Sequence, residues 1–178
     1  YNLQTRSSFL VMTCCVTPQL KVKVVSSEER LKQYIDSILW WLKNTNVTIL
    51  ILENSNSIQK IKENFISKTD VISRLEFIDC TEKQPKAERG SGWLEARMVE
   101  TGLSQSVYLP AIKKYGFYKV TGRLIIKNFF KIDSRNSREF TLINWWLVGI
   151  LGNAGRVDLR FCYYYLEYIP KHFQLSFL

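Results

Sequence analysis

Lys119, Thr121, Gly122 and Arg123 close an apolar, aromatic run, Gly116-Phe117-Tyr118-Lys119-Val120. Such a run predicts a strand, and the Thr-Gly pair breaks it where side chains and backbone N–H groups can converge on a ligand. Arginine offers a planar fork matched to phosphate oxygens, lysine a compact point charge, and glycine lets a backbone come close to a bound group. The chemistry these types suit is capture of an anion. The competing reading is an exposed strand face at Lys119 and a surface ion pair at Arg123.

Other chemistries find little support. There is no GxxxxGK[ST], no GxGxxG after the first strand and no GxSxG, so the common phosphate-loop, dinucleotide and nucleophile-elbow sites are not expected. The one histidine, His172, lies near the C-terminus, far from the other candidate groups, which argues against a Ser-His-Asp triad. Cys14, Cys15, Cys80 and Cys162 show no CxxC spacing, so a zinc site is not expected. Adjacent Cys14 and Cys15 point to opposite faces of a strand and read as small buried hydrophobes, which favours a reducing, cytoplasmic setting.

The 25 Lys and Arg against 16 Asp and Glu give a formal net charge of +9. That excess favours nucleic acid, acidic lipid headgroups or phosphate-bearing metabolites without choosing among them. With 46% hydrophobic residues the chain is not a disordered one. Its longest apolar run, from Phe9 to Val16, is too short to cross a bilayer and lacks a small-residue cleavage site, so it reads as a buried strand in a soluble protein.

The elements that must position these groups follow from periodicity. Ser26 and Glu29 have the spacing of a capping box, and Leu31, Tyr34, Ile35, Ile38, Leu39 and Leu42 follow at helical intervals. Residues 47–52 form a β-rich run without alternation, the mark of a strand covered on both faces, and a polar loop follows at Glu53. A helix from Ile58 to about Phe65, a strand over 75–79, a helix from Trp93 to about Gln105 and a strand from Tyr115 to Val120 complete the alternation. This predicts one α/β domain over 1–178, a mainly parallel, Rossmann-like sheet with helices on both faces. The pattern after Asn128 is ambiguous beyond a helix expected from about Tyr164. Ligands of such sheets bind beyond the carboxyl ends of the strands, where strand order reverses. One crevice there would collect Thr13 to Pro18, Glu53 to Ser55, Asp79 to Gly92 and Lys119 to Arg123.

Four stretches in matching order, SEERLKQYIDSILWWLKNTNVTILILENSNS, RGSGWLEARMVETGLSQS, FYKVTGRLIIKNF and VDLRFCYYYLEYI, resemble bacterial glycosyltransferases of capsule and lipopolysaccharide synthesis. The resemblance implies a single-Rossmann, GT-A-like domain that moves a sugar from a nucleotide-diphosphate sugar to a glycan or lipid-linked acceptor. It places the protein in the cytoplasm and is compatible with a peripheral contact at the inner face of the membrane. It implies nucleotide-sugar binding by Thr13, Thr17, Pro18, Glu53, Asn54, Ser55, Lys119, Thr121, Gly122 and Arg123, with Arg89, Gly90 and Gly92 closing as a lid. Asp158 and Glu95 become the catalytic carboxylates and Arg160 an acceptor contact.

Two departures from the family pattern stand out. Its K-G-x-G-E junction reads Arg89-Gly90-Ser91-Gly92-Trp93-Leu94-Glu95 here, and no Asp-x-Asp triplet occurs. Thr121-Gly122-Arg123 stands where that triplet is expected, so no metal site is predicted, although such folds accommodate Mg or Mn. Protein cations would then meet the diphosphate charge. The rival readings are a catalytically degenerate partner subunit of the same fold and a basic nucleic-acid-binding module. Trp40, Trp41, Trp145 and Trp146 read as core or interface before sugar-stacking surfaces.

Overall fold

The structure, a computed structural model, describes residues 8–18, 25–67, 69–81, 91–133, 141–142 and 161–164. Six strands form one sheet in the order β3-β2-β1-β4-β6-β5. They are β1 (Phe9–Cys14), β2 (Thr48–Glu53), β3 (Leu75–Asp79), β4 (Phe117–Thr121), β5 (Thr141–Leu142) and β6 (Phe161–Tyr164). The first four are mutually parallel, and β6 runs antiparallel to both β4 and β5. The expected α/β class and the common direction of the four strands are both present. Tyr164, expected to open a helix, ends β6. The rest of that helix and the 144–149 run lie outside the described residues.

Alternation along the strands builds two cores. Leu10, Met12 and Cys14 of β1 join Ile49 and Ile51 of β2 and Tyr118 and Val120 of β4 on one face. There α1 (Ser27–Asn44) supplies Tyr34, Ile38, Trp41 and Leu42, α2 (Ile58–Glu63) supplies Ile61, and α6 (Phe129–Asp133) supplies Phe129. Phe9, Val11, Leu50, Leu52, Ile78 and Phe117 face the other way. They meet Met98 and Leu103 of α4 (Ser91–Gln105) and Ile112 of α5 (Leu109–Tyr115). Each fully buried aliphatic side chain contributes about 1.5–3 kcal/mol by leaving water. The central strands therefore carry most of the stabilisation and fix the register of what lies at their ends. A short helix, α3 (Thr69–Ile72), leads into β3.

Local signals explain the boundaries. Ser26 Oγ accepts from Glu29 N at 3.1 Å, so the predicted cap starts α1. The helix α5 was not expected. It has Pro110 in its first turn and ends at Gly116, whose φ of 77° is left-handed, a geometry glycine adopts without penalty. Tyr115 therefore closes a helix and does not open β4.

Candidate functional site

Because β2 and β3 lie on one side of β1 and β4 on the other, strand order reverses between β1 and β4, and their carboxyl ends frame a crevice. Register places Thr13 beside Thr121, and Cys14 beside Glu53. On the α4 side of the sheet Glu95 reaches into this gap. Its Oε1 accepts from Thr13 Oγ1 at 2.5 Å, Thr121 Oγ1 at 3.1 Å and Lys119 Nζ at 2.7 Å. No described residue donates to Oε2, and the side chain is 28% exposed. The carboxylate is thus held by one oxygen and presents the other.

This arrangement revises Lys119. Neither the exposed strand face nor the open phosphate contact is seen: the residue is 3% exposed, ion-paired with Glu95 and within 3.4 Å of Thr121 Oγ1. An ammonium buried this deeply needs a carboxylate beside it. Arg123, by contrast, is exposed, donates from Nη1 to Gln33 Oε1 at 3.0 Å and makes no ion pair among the described residues. The expected surface ion pair is replaced by a guanidinium whose charge is open to an anion.

Gly122 is required, for an internal reason. A Cβ there would lie 2.8 Å from Cys14 Sγ, 2.8 Å from the Thr13 carbonyl oxygen and 2.9 Å from Tyr34 Cδ1. The missing side chain makes room for β1 and α1, not for a ligand.

On the α1 side, Glu53 is fully buried and its carboxylate is spent on the chain itself. Oε2 accepts from Ser55 N at 2.9 Å and Ser57 N at 2.7 Å, while Oε1 accepts from Val16 N at 3.3 Å and from Ser55 Oγ. Glu53 therefore folds the loops after β1 and β2 onto each other. Ser55 Oγ also accepts from Thr17 N at 2.9 Å. Thr17 is exposed, Pro18 half-buried and Asn54 half-buried. Asn54 Oδ1 is buried with no hydrogen-bond partner, so of the Glu53-Asn54-Ser55 trio Asn54 is the member with an unspent acceptor.

Gly92, the second residue of α4, is exposed, with open space where a side chain would stand. Arg89, Gly90, Asp158 and Arg160 lie outside the described residues, as does His172. The structure thus brings Thr13, Glu95, Lys119, Thr121 and Gly122 together and sets Arg123, Thr17, Asn54 and Ser55 around the rim.

One residue was overlooked. Arg30 of α1 is 6% exposed, its Nη1 donates to the Cys15 carbonyl at 3.4 Å and its Nε has no partner. It shares the inward stripe of α1 with Tyr34, Ser37, Ile38 and Trp41. The signal was an arginine at i−4 from a core tyrosine. Tyr34 Oη accepts from Cys15 N at 3.0 Å and donates to Cys15 O at 3.3 Å. Burial raises its pKa, and the Arg123 charge pulls it back. All four thiols are reduced. Burial, and then the charge of Glu53, push the Cys15 thiol up to about 11, while Arg30 opposes them.

Among the described residues no three His, Cys, Asp or Glu side chains converge, Glu53 is filled by N–H and O–H donors, and Glu95 holds an ammonium. Hard cations need carboxylate oxygens that are free to coordinate. No helix among the described residues is long and apolar enough to cross a membrane. Comparison of the chain with protein-family models, with curated proteins and with solved structures finds no match.

Proposed function

We propose that the chain is a glycosyltransferase acting on a nucleoside-diphosphate sugar, built on a single Rossmann-like domain of the GT-A kind, with a glycan or lipid-linked acceptor. The observation that carries this reading is the meeting of Glu95, Thr13 and Thr121 at the point where strand order reverses, with Arg123 exposed two residues after Thr121 and bonded to Gln33 of α1. Glu95 Oε2 accepts a sugar hydroxyl and fixes the donor sugar. Asn54 Oδ1 takes an N–H of the base. The acceptor oxygen bonds to the anomeric carbon as the carbon–oxygen bond to the diphosphate breaks, the acceptor proton leaves to solvent, and Arg123 meets the charge that grows on the leaving group. Lys119 is a positioning residue: it holds Glu95 and does not itself reach the phosphates.

The test is a panel of nucleotide sugars followed for binding and for release of nucleoside diphosphate. Arg123→Ala should weaken diphosphate binding by about one to two decades, the range for a lost charge-assisted hydrogen bond. Glu95→Gln should lower turnover more than it lowers diphosphate binding. Binding without turnover of any donor would make the chain a non-catalytic partner subunit. Capture of oligonucleotides with no nucleotide sugar bound would make it a nucleic-acid module.

A further inference from the structure

The buried guanidinium of Arg30 is not accounted for by the described residues. Ion pairs among the described residues join only Arg97 to Glu100 and Lys119 to Glu95. Arg30 has neither a carboxylate nor a short hydrogen bond: one contact of 3.4 Å to Cys15 O, an Nε with no acceptor, and no described residue accepting from Nη2. Its place on α1 makes this more unfavourable. It is the fourth residue of an 18-residue helix, at the end where the helix dipole is positive and favours anions. Glu28 and Glu29 share that turn but are exposed, and Glu29 accepts from Gln33. A second guanidinium lies along the same helix: Arg123 Nη1 bonds Gln33, three residues on from Arg30, next to the Tyr34 whose hydroxyl shares the Cys15 carbonyl with Arg30.

We infer that Arg30 and Arg123 together form a subsite for a phosphoryl group beyond the carboxyl end of β1, beside Cys15. The inference rests on the transferase reading and deepens it. Arg30 receives one phosphate of the donor's diphosphate from within the protein, and Arg123 covers it from the solvent side. Two guanidinium forks supply N–H donors to the phosphate oxygens and the positive charge that a divalent ion would otherwise supply. The cost of keeping Arg30 buried with no carboxylate in contact is offset when the anion arrives, so binding and stability are opposed at this position.

Inorganic pyrophosphate is titrated calorimetrically into the full chain, with Arg30→Met, Arg30→Lys and the surface change Lys43→Gln alongside, and each protein is melted without ligand. The expected result is pyrophosphate binding that falls at least tenfold in Arg30→Met, is partly restored in Arg30→Lys and is unchanged in Lys43→Gln. The ligand-free melting temperature of Arg30→Met should rise, which a purely structural arginine would not produce. If Arg30→Met does not fold, Arg30→Gln supplies the same comparison. Equal pyrophosphate affinity in the wild type and the neutral variant, or no binding by the wild type, overturns the subsite. A nucleotide sugar bound equally by wild type and Arg30→Met overturns the subsite and leaves the transferase reading standing. Pyrophosphate held through Arg30 with no nucleotide sugar bound keeps the subsite and removes that reading.

Discussion

At the scale of residues, the pair Lys119–Glu95 is asymmetric, because the ammonium is almost fully buried while the carboxylate keeps about a quarter of its surface. Removing the carboxylate takes the ion-pair partner from a buried charge, whereas removing the lysine leaves a carboxylate that water reaches. Glu95→Gln should therefore cost about 3 kcal/mol, the lower end for a buried pair that loses one member, and Lys119→Met distinctly less, measured as unfolding free energy in urea. A reversed order would show that the ammonium does not depend on Glu95. The thiols give a pH signature. Burial is the first cause raising Cys14 and Cys15, the latter to about 11. Their protonated forms are favoured in the native state, so this stability is complete below the ordinary thiol pKa and is lost as pH rises from there toward 11. The urea midpoint should fall between pH 8.5 and pH 10.5 (about the ordinary thiol range and above), and less steeply in Cys15→Ala.

At the scale of elements, β1, α1, β2 and β3 were legible because their periods leave little choice: a capped amphipathic helix, an unbroken aliphatic run, and a short strand between turn residues. The helix α5 was missed because Tyr115 and Phe117 make one aromatic run across Gly116, and only the left-handed φ of that glycine shows that the run is two elements. The carboxyl ends of β1, β2 and β4 do lie at one edge of the sheet, but the roles of their residues were not readable. Nothing local says that Lys119 finds Glu95 across the crevice, or that Glu53 faces inward onto amides. The two packed glycines show the same limit. A Cβ on Gly102 of α4 would lie 2.4 Å from Leu52 Cδ2, and one on Gly122 2.8 Å from the Thr13 carbonyl oxygen. Leu52 can turn its end aside, but a strand backbone cannot move alone. Gly122→Ala should cost about 2–3 kcal/mol as an overpacked site, and Gly102→Ala less, because alanine's better helix propensity offsets about 1 kcal/mol of the strain. Thermal unfolding of the two variants side by side checks the order.

At the scale of the whole molecule, the charge of +9 acts at long range, while the proposed pair of guanidiniums, Arg30 and Arg123, would act at contact. Nucleotide binding carried by these cations should persist in excess chelator and weaken steadily as sodium chloride is raised, because salt screens the exposed Arg123 more than the buried Arg30. Chelation that abolished binding, with manganese restoring it, would send the search to Asp158 for a carboxylate that reaches the diphosphate. The same sheet order has a consequence for how the chain is made. Leu10 pairs with Ile49 on one side and with Tyr118 on the other, so β1 acquires its second neighbour only after the intervening helices and strands have been made. Until β4 leaves the ribosome, this fully buried strand presents a bare hydrogen-bonding edge, the form of surface that recruits stray strands. A slow stretch of translation before residue 117 would lengthen that exposure, and chaperone capture of the nascent chain should be concentrated there.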